Sequence, residues 1–402
     1  MNSRERIQTT LKHQVPDRVP VDLNGTAATA IAAMAYNKLA PQMGFEKLPK
    51  IWDPFQLIAE PDHAILEKFG SDTAPVPLPI PGLDLENPEW KPWSLPDGSQ
   101  GLVPAGFSPI TQPDGDMIVI NGPFEHRLPV GGFYFDQIRY PLADARAVEE
   151  IENFHIPDFT PLQLDWMSHT AKHLFETTEK FVMCRYRSSI LERACELRGW
   201  DRFLMDLAGD PKMAQALIEN ITNFYLRNLP AFLEKVGKYA HAVVNHDDLG
   251  NQNTSLISPK MYREMIKPYH RQIFQTIKAN SNLYIYMHSD GNIFKLIPDI
   301  IEIGVDILNP IQFSAKDMDP KTIKREFGQN LTFWGAGVDT QKTLPYGTPE
   351  EVEDEVKRMI DIMAPGGGYV FATVHNIQAN VPPENIIQMY QTALSYGAKI
   401  YQ

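Results

Sequence analysis

Two histidines in this chain stand in matching surroundings. Tyr286-Met287-His288-Ser289-Asp290-Gly291 follows the apolar run Leu283–Met287, and Phe371-Ala372-Thr373-Val374-His375-Asn376 follows Gly368–Ala372. Each run reads as a buried strand, and each polar cluster precedes a helical segment. Two imidazoles and a carboxylate suit a divalent metal: catalytic zinc takes nitrogen or carboxylate ligands from separate elements, three in number, and leaves a position open. His288, Asp290 and His375 meet that count. With no thiolate among them the site is hard, and zinc in it stays a strong Lewis acid. Taken alone, His288 could instead bond a neighbouring backbone while Asp290-Gly291 turns into the next helix. His375, in the equivalent position, favours the metal.

Other strand ends carry chemistry too. His246-Asp247-Asp248-Leu249-Gly250 places two carboxylates beside a histidine, an arrangement that is costly unless a cation or water compensates it. Asp247 and Asp248 are therefore candidates for catalysis as general acid or base. A fourth ligand, a partner orienting an imidazole, or a plain turn residue are the alternatives. Arg185 and Arg187 flank Tyr186, and a guanidinium there could clamp a substrate carboxylate or phosphate. Ion pairs to Asp206 or Asp210 fit equally well. Asp339, in Trp334-Gly335-Ala336-Gly337-Val338-Asp339-Thr340-Gln341, is a further substrate-binding candidate, because the glycines permit close backbone approach. Cys184 reads as a small buried apolar residue.

These residues converge only if their strands do. From residue 180 onward strands and helices alternate: strand Lys180–Tyr186, helices Ile190–Arg198 and Pro211–Val236, strand His241–His246, then a helix capped by Ser258-Pro259 and running to Asn280. Strands Leu283–Met287, Asp306–Leu308, Leu331–Trp334 and Gly368–Ala372 follow, separated by helices. Arg18–Leu23 and Asp72–Val76 supply two earlier strands, with a helix Ala28–Leu39 between them. Continuous apolar strands alternating with helices predict a (β/α)8 TIM barrel of the α/β class, whose strand ends meet at one mouth. Pro77–Leu142 differs in kind: prolines and glycines are dense, and Pro113-Asp114-Gly115-Asp116 signals a hairpin. It reads as a β-rich insertion near the N-terminal third that shapes the site, inside a single domain spanning 1–402.

Bulk composition narrows the function. The chain has 402 residues, 43% of them apolar, which is enough for a large core. A net charge of −13 disfavours a nucleic-acid partner. Two cysteines exclude a disulfide framework and a four-cysteine zinc site. No apolar window reaches the length of a membrane span, and the N-terminal residues do not read as a signal peptide. A cytoplasmic protein is expected.

The chain resembles the uroporphyrinogen decarboxylase-like superfamily and, within it, the methyltransferases that serve corrinoid proteins. The resemblance rests on Arg4-Glu5-Arg6 with Pro16-Asp17-Arg18-Val19-Pro20-Val21, on Asp247-Asp248-Leu249-Gly250 with Ile257-Ser258-Pro259-Lys260-Met261-Tyr262, and on Gly337-Val338-Asp339-Thr340-Gln341 with Gly347-Thr348-Pro349-Glu350-Glu351-Val352. The tail Gly366-Gly367-Gly368-Tyr369, His375-Asn376-Ile377-Gln378 and Val381-Pro382-Pro383-Glu384-Asn385-Ile386 is similar as well. The Arg-Gln-Ala-Gly-Arg motif with which true decarboxylases grip their substrate is absent. Thiol-dependent relatives bind zinc through His-x-Cys and a later cysteine; here His288-x-Asp290 takes the first place and His375 lies in the region of the second. That departure keeps a metal site and disfavours a thiol acceptor. The resemblance therefore implies an enzyme of the O-demethylase methyltransferase I type. In such an enzyme bound Zn2+ polarises the leaving atom of a small methylated substrate, for instance an aryl methyl ether, and a corrinoid takes the methyl. No corrinoid-binding Asp-x-His-x-x-Gly stretch occurs, so the corrinoid is expected in trans on a partner protein. Relatives commonly form homodimers. A lyase or decarboxylase acting on a small carboxylate without corrinoid, or a non-catalytic ligand-binding barrel, are the competing expectations.

Overall fold

The computed structural model describes residues 1–401. A short antiparallel pair, β1 (Ile51–Asp53) and β2 (Ile58–Ala59), precedes β3 (Thr73–Val76). The segment expected to be β-rich holds six strands. β4 (Trp90–Ser94) pairs with β5 (Gln100–Pro104), and β6 (Ile110–Thr111), β7 (Met117–Asn121), β8 (Phe124–Leu128) and β9 (Asp136–Arg139) form a four-stranded antiparallel sheet. Thereafter strands alternate with helices: β10 (Phe181–Arg185), β11 (Ala242–His246), β12 (Tyr284–His288), β13 (Ile307–Asn309), β14 (Thr332–Trp334) and β15 (Tyr369–Val370). With β3 they make one seven-stranded parallel sheet, β3-β10-β11-β12-β13-β14-β15.

The two faces of this sheet bury different residues, as period-two alternation requires. Phe181, Met183, Ala242, Val244, Tyr286, Ile307, Trp334 and Val370 pack among themselves, joined by Ile7 and Leu11 of the N-terminal helix Ser3–Leu11. Val182, Cys184, Val243, Ile285, Met287, Leu308 and Phe333 pack with the surrounding helices instead.

The edges of the sheet converge on one residue. Val21 makes parallel bridges to Phe371, just past β15, and to Ser71, just before β3. Asp72 fixes that junction from full burial. Its Oδ2 accepts from Val21 N at 2.9 Å and Arg18 Nη1 at 2.8 Å, and its Oδ1 accepts from Arg6 Nη1 at 2.7 Å. This accounts for the Arg4-Glu5-Arg6 and Asp17-Arg18 segments as architecture.

Several expectations are corrected. The strand expected at Arg18–Leu23 is a single bridging residue rather than a regular ladder. The helix expected at Ala28–Leu39 is a 3-10 turn, Ala27–Thr29, followed by helix Ala33–Gln42. The break arises because Ile31 and Ala32 bridge Ile377 and Ile58. Helix Trp200–Gly209 was not foreseen, and the helix after Ser258 includes a π segment at Tyr262–Ile266. Among the described residues no helix is long and apolar enough to cross a membrane.

Candidate metal centre and substrate chamber

Parallel register builds the site. His246 pairs with His288, and His288 with Asn309, so three neighbouring strands end at one level. Arg185, His246, His288 and Asn309 also continue the inward-facing rows: they follow Met183, Val244, Tyr286 and Ile307 by two residues each. The apolar interior thus gives way to polar groups at its C-terminal end.

His288, Asp290 and His375 offer ligand atoms that all lie within 4.8 Å of one another. His288 Nε2 and His375 Nε2 each stand 3.6 Å from Asp290 Oδ2. The opposite ring nitrogens are engaged: His288 Nδ1 is 2.6 Å from Asn309 Oδ1, and His375 Nδ1 is 2.6 Å from Asn376 Oδ1. Asn309 Nδ2 donates to Trp334 O at 2.8 Å and Gln378 Nε2 donates to Asn376 Oδ1 at 2.5 Å, which orients each amide with its oxygen toward the imidazole. Each Nδ1 is therefore placed to donate to its amide, which leaves Nε2 as the ring nitrogen open to a metal. Asp290 Oδ1 is buried with no hydrogen-bond partner. An orphaned carboxylate oxygen beside two aligned Nε2 atoms fits a divalent cation.

The electrostatics agree. Burial lowers the pKa of His288, but Asp290 and Asp248 outweigh it and raise the value to about 10. Burial opposes the charge of Asp290, and His288 with His375 nevertheless hold its carboxyl well below the usual range. The cluster calls for positive charge and, without a metal, draws it as a proton.

The loops after β11 and β12 touch through glycine. A Cβ on Gly291, whose φ is +84°, would lie 2.5 Å from Gly250 C, and one on Gly250 would lie 2.8 Å from Asp290 O. This contact lets Asp290 N donate to Asp248 Oδ1 at 3.0 Å. Asp248 Oδ1 is also 3.8 Å from His288 Nε2, and burial with repulsion from Asp290 and Glu192 pushes its pKa up to about 6.

Asp247 faces the other way. Its two oxygens accept from the backbone N–H groups of Ile190, Leu191 and Glu192 at 3.0, 2.9 and 2.7 Å, and from Ser189 Oγ at 3.1 Å; His270 Nε2 lies 2.9 Å away. It anchors the start of helix Leu191–Arg198 and lines neither cavity at the mouth. Asp339 is likewise a turn residue: its Oδ1 accepts from Gln341 N at 2.8 Å, and it lines neither cavity.

Both arginines line the mouth. Arg187, with φ +60°, donates from Nε to His246 Nε2 at 2.7 Å and pairs with Glu196. Arg185 lies 3.9 Å from Asp53 Oδ2. Asp206 pairs with Arg198, and Asp210 caps helix Pro211–Lys235, so neither meets the two arginines. Sequence reasoning missed Glu192 and the amides Asn309 and Asn376. Glu192 Oε2 is 2.7 Å from His246 Nδ1, and burial pushes its pKa up to about 7.

A chamber of about 120 Å³, lined by Trp52, Met183, Arg185, Tyr286, His288 and His375 among others, adjoins a cleft of about 1170 Å³. The two share Trp52, Gln56, Pro77, Arg185, Glu192 and His375. Phe124, His126 and Phe135 of the antiparallel segment also line the cleft.

A sequence model of the family described as Uroporphyrinogen decarboxylase (URO-D) matches residues 133–396, and the chain belongs to that family of enzymes. The methylated-thiol–coenzyme M methyltransferase of Methanosarcina mazei is 29% identical over 178 residues, 43% of this chain and 44% of that protein. The aligned region thus spans less than half of that relative. The uroporphyrinogen decarboxylase of Geobacter sulfurreducens is 24% identical over 256 residues, 61% of this chain and 69% of its own length. Among solved structures, a methyltransferase from Methanosarcina mazei superposes with a TM-score of 0.64 at 15% identity, covering 98% of this chain and 99% of that one. That likeness shows a common fold.

Proposed function

We propose that this protein is a zinc-dependent methyltransferase component that moves a methyl group from a small methylated substrate, such as an aryl methyl ether, to a corrinoid carried by a separate protein. The observation that carries this reading is the pair of Nε2 atoms aimed at one Asp290 oxygen. The methyltransferase relative supports the reaction class. We take the seven strands and the Val21 segment together as a (β/α)8 barrel in one domain, with residues 77–142 as its insertion. The two buried, unpaired cysteines fit a reducing, cytoplasmic setting.

His288, Asp290 and His375 would hold the zinc. When bound, zinc supplies Lewis acidity toward an oxygen or other leaving atom that would otherwise depart poorly. The remaining work belongs to the chain's own groups. Asn309 and Asn376 hold the imidazoles in one tautomer. Asp248 is in position to hold a proton beside the leaving atom, while the apolar walls of the chamber exclude water and orient the methyl donor. The wide cleft outside the chamber has room for a partner-borne macrocycle. The alternative of a metal-free lyase acting on a small carboxylate draws on Arg185 and on the decarboxylase relatives.

Elemental analysis separates the two. Protein purified without added zinc should hold close to one zinc per chain, and His288→Ala and His375→Ala should each lose it together with methyl transfer to cobalt(I) corrinoid. No bound metal in the parent protein, even after zinc reconstitution, would overturn the zinc mechanism.

A further inference from the structure

Arg185 is the one guanidinium at the mouth that its own protein leaves unsatisfied. It ends the inward row Phe181, Met183, Arg185 and lines both the chamber and the cleft. Its side chain is only 20% exposed, yet its sole charged contact, Asp53 Oδ2 at 3.9 Å, is beyond hydrogen-bond length. No described residue accepts a hydrogen bond from it. Asp53 is held in place by Phe55 N and Gln56 N, which donate to its Oδ1 at 3.1 and 3.0 Å. The neighbours differ: Arg187 bonds His246 and Glu196, Arg193 bonds Glu196, and Arg198 bonds Asp206. A guanidinium has five donors, and those of Arg185 have no protein acceptor among the described residues.

We propose that Arg185 receives a carboxylate of the methyl donor, so that the substrates are small methylated carboxylic acids. This rests on the methyl-transfer reading and narrows it. Trp52, Met183, Val244 and Tyr286 offer an apolar wall for the body of such an acid, and His288 and His375 line the same chamber for its reacting end. The chamber volume of about 120 Å³ is comparable to cavities that take a benzene-sized ligand. A corrin macrocycle fits the cleft but not the chamber, and Arg185 lines both, so the aquocobalamin arm of the test separates the two anions.

The test is calorimetric binding to zinc-reconstituted protein. The probes are methoxyacetate and the three methoxybenzoates, each beside its primary amide, with aquocobalamin as a separate arm. The acids should bind about tenfold or more tightly than their amides. Arg185→Met should erase that preference while keeping zinc content and thermal midpoint, and Arg185→Lys should keep part of it. Equal binding of acid and amide, no binding of any acid at millimolar concentration, or a preference that survives in Arg185→Met would each overturn the proposal. An effect of Arg185→Met on aquocobalamin alone would also overturn it and move the anion site to the corrinoid. Should Arg185→Met fail to fold, the acid–amide comparison on the parent protein and on Arg185→Lys still decides. Loss of acid preference with zinc and methyl transfer intact removes this inference alone. Acid preference without bound zinc removes the methyl-transfer reading alone.

Discussion

His246 and Asp247 are neighbours in the chain and serve opposite faces of the sheet, one in the mouth and one in the start of a helix. Parity along the strand decides which polar residue can meet a ligand. The three candidate ligands were legible because each histidine follows an apolar run at a strand end. The parity of those runs, read as Ala242-Val244-His246 and Tyr284-Tyr286-His288, would also have set Asp247 apart. Asn309 and Asn376 were not legible, because an amide after a strand reads as a turn former. Their role gives a prediction at this scale. Asn376→Ala frees the His375 ring to rotate and change tautomer, so zinc affinity should fall about 10–100-fold, measured by competition with a chromogenic chelator. Unchanged affinity would mean that Asn376 does not set the ring.

Helix Leu191–Arg198 is placed by one carboxylate. Burial alone would raise the pKa of Asp247, but His270 and the helix backbone N–H groups bring it below the ordinary carboxylate value. Its stabilisation is therefore present above the unfolded carboxylate pKa and disappears as pH falls through the lower folded value. Asp247→Asn presents an amide donor where the helix presents donors. We expect a loss of about 2–4 kcal/mol at pH 7, shrinking as the parent protein itself is acidified. Urea unfolding at pH 7 and near pH 3 measures both, and a loss independent of pH would contradict the assignment. Helices that open at Asp-Pro or Thr-Pro, such as Pro320–Phe327 and Pro349–Met363, carry start signals written locally. The break at Ile31 and Ala32 was not, because its cause is bridging to residues far along the chain.

For the molecule as a whole, the junction at Val21 depends on Asp72 and two arginines. The Arg6 and Arg18 side chains are only 9% and 19% exposed. Asp72→Ala would strip Arg18 of its carboxylate and leave Arg6 with Asp17 alone, and we expect a loss of about 3–5 kcal/mol in denaturant unfolding, far more than a surface pair contributes. A shift under 1 kcal/mol would show that the junction holds by packing alone. The ion pairs of Arg6 and Arg18 were not legible in the sequence, since nothing local in those residues announces Asp72 as their target. The antiparallel segment could be read as β-rich from its prolines, glycines and hairpin signal, but its part in lining the cleft came from contacts that no local pattern encodes.

The metal candidates lie on β12 and the loops after β12 and β15, whereas Arg185 lies on β10, and residues of β8 and the chain after it line the cleft beside Asp290 and His375. On the proposed assignment the reacting end and the held end of a substrate are bolted to different parts of the frame. A change at the tip of β10 would then alter which molecule is held while leaving the metal candidates untouched.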